Sequence, residues 1–154
     1  MQYVKFNIDQ YRYVLPVVDM VEIIPYVKLK KSSKLLEYIA GQCSYRGILV
    51  PVIDLCSLII KKPCKKKLST RILIIAVTET NSTDKMVGLM VEKATEIVKV
   101  EEDSFMDAGI YKKDLPYVGP VISDSSGLIS RIYISEILSR VDYKNLFSAP
   151  VKTA

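Results

Sequence analysis

Apolar and polar residues alternate at the start of the chain. Val4, Phe6 and Ile8 share one face of the run at 3–8, and the alternation resumes in YRYVL at 11–15. Two such runs separated only by Asp9-Gln10 predict a β-hairpin, closed by a dipeptide that turns less readily than Asp-Gly. Pro16 has no amide hydrogen for a ladder and ends the second strand. Val17 to Ile24 mixes β-branched residues with Asp19 and Glu22. That mixture fits a short helix passing into a strand, and periodicity alone does not decide it.

The densest pattern is Tyr38 to Leu58, YIAGQCSYRGILVPVIDLCSL. Tyr38 to Gly41 has the residue mix of a strand, and Arg46-Gly47 supplies a glycine that can turn a hairpin with positive φ. The apolar run Ile48 to Ile53 is a buried strand. Asp54 stands where a helix N-cap belongs, ahead of Leu55, Leu58 and Ile59. Further strands are predicted at Arg71 to Val77 and within Met86 to Val100. Loops are expected at Pro25 to Lys34, Ile60 to Ser69, Asn81 to Asp84 and Glu101 to Lys113, with a frayed tail at 143–154.

The landmarks repeat. Leu15, Val17, Glu22 and Ile23 recur 74 positions on as Leu89, Val91, Glu96 and Ile97. Tyr38-Ile39 recurs as Tyr117-Val118, while Gly47-Ile48 and Leu58 recur 80 positions on as Gly127-Leu128 and Leu138. The widening offset puts insertions in the connections, where loops tolerate them. The chain therefore reads as two similar small β units in tandem. Ser135 is expected to cap the second unit's helix, one residue later than Asp54 in the first, because Ile134 stands at the equivalent position.

Composition narrows the function classes. A chain of 154 residues with 49% apolar and 25% charged residues forms one globular domain with a real core. No stretch approaches eighteen consecutive apolar residues, and Met1 runs into strand-like alternation, so we expect neither membrane insertion nor a signal peptide, and a cytoplasmic location. Three cysteines, Cys43, Cys56 and Cys64, make no disulfide framework, and Cys43 and Cys56 read as core filler. Without histidine and without a CxxC knuckle, no zinc site is expected, and the commonest general base is missing. The six glycines form no phosphate loop. The net charge of +5 draws on Lys61, Lys62, Lys65, Lys66 and Lys67, which read as a solvated loop tip. A nucleic-acid-binding barrel would need exposed aromatics among those lysines, and 61–67 contains none.

Tyr38, Ile39, Gly41, Arg46, Gly47 and the run Val50 to Leu55 resemble the most recognisable segment of the CheW-like domains, adaptor modules of bacterial chemotaxis arrays. The resemblance extends over Arg71 to Val77 and Val87 to Glu92, with Ser44 where many members carry Asn and Glu92 where Asp is more usual. It implies a mainly β fold of two tandem five-stranded barrels, similar to the Src-homology-3 barrel, with short helices near 54–60 and 135–140. It implies an adaptor rather than an enzyme, with no cofactor and no metal. The expected partners are the regulatory domain of a CheA-type histidine kinase, the cytoplasmic tip of chemoreceptors, and other copies of the adaptor. By the same resemblance Met20, Glu22, Ile23 and Gly41 are expected to touch the kinase. Arg46, Val87 and Leu89 are expected on the receptor-facing or signalling side. A coupling protein of a related chemosensory pathway, controlling twitching or development, is the nearest alternative.

Overall fold

A computed structural model describes residues 1–31, 37–77, 85–107 and 118–141. The loop residues 32–34 and 81–84, the landmark Tyr117, the end of the loop at 108–113 and the tail at 143–154 lie outside the described residues.

The fold is mainly β. The N-terminal alternation becomes the antiparallel hairpin β1 (Gln2–Ile8) and β2 (Tyr11–Pro16), with Asp9 held at φ 55 to make the turn. A 3-10 turn at Val17–Asp19 then leads into β3 (Met20–Pro25). β4 (Ile39–Tyr45) and β5 (Ile48–Asp54) follow, then α1 (Leu55–Ile60) and β6 (Arg71–Ala76). β7 (Met86–Lys99) is the longest strand, and β8 (Val118–Asp124), β9 (Gly127–Ile132) and α2 (Ile134–Arg140) complete the described chain.

The strands form two five-stranded sets that share β7. One set orders β4, β5, β7, β6 and β3, using β7 from Met86 to Val91. The other orders β7, β1, β2, β9 and β8, using β7 from Glu92 onward. Lys93, at φ 49, sits just past the handover from one set to the other. A left-handed residue is a local bend of the kind that re-aims a strand.

The ladders correspond pair by pair. β1–β2 matches β6–β7 and β4–β5 matches β8–β9, all antiparallel. The parallel pair β5–β7 matches the parallel pair β9–β2. The N-terminal hairpin thus sits in the barrel of β8 and β9, not in that of β4 and β5. Each repeat gives its early strands to one barrel and its late strands to the other, so units in tandem along the sequence are interleaved in space.

This exchange explains the burial of β1. Val4, Phe6 and Ile8 face the larger core, as the alternation predicts, but Tyr3 is also fully buried, in a second core with Val14, Val100 and Ile129. The hairpin is a partition covered on both faces. Fully burying each such aliphatic side chain contributes about 1.5–3 kcal/mol.

Asp54 caps α1 as expected, its carboxylate accepting from the Ser57 amide at 3.1 Å. The second cap is a correction. Tyr133 occupies the N-cap of α2 with no side-chain cap bond, and Ser135 lies inside the helix. The cysteines also require a correction: Cys56 and Cys64 are joined as a disulfide, and only Cys43 is a free thiol. A pair eight residues apart is invisible to a count that looks for an even framework.

Candidate functional site

The first barrel does not close by a continuous ladder. β3 bonds β6 on one side and has no other ladder among the described residues, and its Glu22 side chain reaches the end of β4. Two contacts bridge this seam. At one end the segment that follows β3 is tied to β4, the Lys30 and Gln42 amides each donating to the other's carbonyl at 2.9 Å. At the other end a side-chain cluster spans it: Tyr45 Oη donates to Glu22 Oε1 at 2.8 Å, and Arg46 Nη2 donates to the same oxygen at 2.9 Å.

The hairpin turn positions Arg46. Tyr45 pairs with Ile48, leaving a two-residue loop in which Arg46 (φ 50) and Gly47 (φ 77) are both left-handed. That is the pattern of a type I′ turn. Glycine adopts it freely, whereas arginine in this region costs about 1–2 kcal/mol. The guanidinium lies 5.1 Å from the Tyr45 ring centre, stacked by cation–π attraction. Burial and the bond to Glu22 push the Tyr45 hydroxyl pKa up.

The candidate residues separate into three groups. Glu22 and Arg46 meet in this cluster and stay accessible, their side chains 41% and 70% exposed. Met20 and Ile23 are partly buried against the larger core, so they support the seam more than they present it. Gly41, Val87 and Leu89 are buried. Gly41 is buried at φ +145 beneath the Leu29–Lys30 backbone, where a Cβ would lie 2.8 Å from the Lys30 carbonyl oxygen. It is glycine because another segment crosses it. Val87 and Leu89 are 0% and 1% exposed in β7, so their side chains pack in the core.

Sequence reasoning missed Val18 and Val21, which are 75% and 45% exposed beside the seam. Their signal was the Asp19 and Glu22 interruptions of an apolar run, which mark a segment with water on one side. It also missed Arg131. Its guanidinium lies 5.1–5.7 Å from the rings of Tyr3, Phe105 and Tyr133, and it donates to Tyr3 Oη and Glu102 Oε2 at 3.1 Å each. Between the barrels a cleft of about 330 Å³ is lined by Pro16, Val18, Ala76, Arg131, Tyr133 and Ser135, among others. Its walls mix apolar and polar groups.

The profile of the CheW-like domain family matches residues 2–142, almost the whole chain. The chain belongs to the CheW-like domain family. Its curated relatives include the chemotaxis protein CheW of Helicobacter pylori, 22% identical over 128 residues, which are 83% of this chain and 68% of that protein. The crystal structure of the scaffolding protein TtCheW from Thermoanaerobacter tengcongensis has the same fold. It superposes with a TM-score of 0.74 at 24% identity, over 86% of this chain and 84% of that one. No described helix is long and apolar enough to cross a membrane.

Proposed function

We propose that this CheW-like domain is a non-enzymatic cytoplasmic adaptor that couples chemoreceptors to a CheA-type histidine kinase. The observation that carries the reading is the match of the CheW-like domain family over residues 2–142. The geometry supports it. An adaptor needs two surfaces that can sense each other, and Glu22 and Arg46, from β3 and from the turn after β4, meet across the seam of the first barrel.

The kinase's regulatory domain docks at the seam, where β3, paired among the described residues only with β6, carries the exposed Val21 beside Glu22. Free strand edges accept another chain's backbone, and alternate side chains give specificity. The receptor tip acts on the Arg46 side. Arg46 is held in a costly backbone conformation and tied to Glu22, so a contact that draws the guanidinium away alters the edge on which the kinase sits.

Calorimetric titration of the protein with the regulatory domain of a CheA-type kinase tests this. Wild type binds saturably, and Val21→Lys binds about tenfold more weakly at an unchanged melting temperature. Val21 is preferred to Met20 because Met20 also packs on the core. Failure of the wild-type protein to bind the kinase domain contradicts the reading.

A further inference from the structure

The connection from Lys61 to Lys67 carries five lysines, yet it does not stand clear of the barrel. At Cys64 it dips back: this side chain is 4% exposed, while Pro63 and Lys65 on either side are exposed. Several bonds hold the dip. Cys64 is joined to Cys56 in α1, its amide donates to Asp54 Oδ2 at 3.0 Å, and the Lys65 amide donates to Glu92 Oε2 at 2.6 Å. The pinned connection forms one wall of a cleft of about 720 Å³. Pro63 and Lys66 stand on that wall, Lys28 and Lys31 also line the cleft, and Ile39 and Met90 contribute apolar lining. Lys66 Nζ lies 5.8 Å from the Tyr26 ring centre.

We propose that Cys56 and Cys64 are a reversible thiol–disulfide pair that sets the position of this lysine-bearing wall. The proposal stands apart from the adaptor reading, because it needs only the pair and the connection. The Cα atoms are 5.2 Å apart, inside the range a disulfide spans without backbone movement. The fold also has a place for the reduced form. The Met90 carbonyl oxygen lies 3.4 Å from the Cys64 sulfur, ready to accept from a thiol, and the amide bonds to Asp54 and Glu92 do not involve the sulfurs. Reduction therefore removes the covalent fastening and leaves the hydrogen bonds, loosening the connection without unfolding the barrel. Cys43 is buried in β4, where burial pushes its thiol pKa up, and it takes no part.

The oxidant is a peroxide. One thiolate attacks a peroxide oxygen, the O–O bond breaks, and a sulfenic acid and hydroxide form. The second thiol displaces the sulfenic oxygen as water, so two thiols and one hydrogen peroxide give one disulfide and two waters. A dithiol returns two electrons and two protons by exchange. Asp54, Cys56 and Cys64 also place three possible metal ligands within 4.8 Å of one another. A cation there would require the sulfurs as separate thiolates, and the Asp54 oxygens already accept from the Ser57 and Cys64 amides.

The test uses the purified protein equilibrated in its native state with dithiothreitol or hydrogen peroxide, then denatured for thiol counting. Three thiols are expected after dithiothreitol, one after peroxide, and three again on re-reduction. Trypsin is expected to cut after Lys61 and Lys65 to Lys67 about tenfold faster in the reduced protein, because cleavage follows local opening. A Cys56→Ser/Cys64→Ser variant should show the fast rate under both conditions. If that variant fails to fold, the wild-type comparison stands alone. A single thiol in both buffers, three thiols after peroxide, one zinc per chain protecting the thiols, or equal cleavage rates would each overturn the proposal.

Discussion

Glu22 Oε1 and Arg46 Nη2 meet at 2.9 Å across the open seam of the first barrel. Residues that the family resemblance assigns to different partners, Glu22 to the kinase and Arg46 to the receptor side, are thus one physical unit. Tyr45 completes it by donating to the same carboxylate oxygen.

Arg46→Gly separates the roles of this unit. The exposed ion pair is worth about 1 kcal/mol or less, and glycine removes a left-handed penalty of similar size at φ 50. Thermal unfolding should therefore show a stability within about 1 kcal/mol of wild type. Arg46→Lys keeps the charge and loses the planar fork. Both variants should retain kinase binding by calorimetry.

Gly41 and Gly47 should respond differently to alanine. At Gly41 a Cβ meets backbone at 2.8 Å and the φ is +145, so Gly41→Ala should cost about 2 kcal/mol or more. At Gly47 nothing lies within 4 Å, and only the φ of +77 opposes the change, at about 1 kcal/mol. Denaturant unfolding of the two variants measures the difference.

Leu89→Ala should cost about 2–5 kcal/mol and Val87→Ala somewhat less, because both side chains leave a cavity in the core. Any loss of partner binding should track the unfolded fraction. Binding loss in a fully folded variant, measured by calorimetry beside circular dichroism, would return these residues to the interface.

Tyr3 gives a pH signature. Its hydroxyl is pushed up to about 12, first by burial and then by donation to Glu102. The ordinary tyrosine value is about 10. A folded-state value above the unfolded one contributes stability that is full below about pH 10 and is lost as pH rises toward 12. Stability measured between pH 9 and 12 should fall more steeply for wild type than for Tyr3→Phe.

Much of the fold was legible because its signals are local. Alternation marked β1 and β2, the Arg46-Gly47 pair marked the hairpin, and Asp54 marked the start of α1. The exchange of strands between barrels was not legible, since a repeat offset reports sequence order and not which sheet a strand joins. The site was half legible for the same reason. Glu22 stood out as a charge in an apolar run, but its bond to Arg46, 24 residues away, depends on a seam that forms only when the barrel does. Val87 and Leu89 look alike in sequence whether they face a core or a partner, and only the packing of β5 and β6 on either side of β7 decides.

Coupling itself is measured most directly by reconstituting receptor, CheA-type kinase and this protein, and following kinase activity with and without attractant. The account predicts that wild type restores receptor control of the kinase. Arg46→Gly, though folded and kinase-bound, should leave activity insensitive to attractant. Full receptor control by Arg46→Gly, or none by wild type, would contradict it.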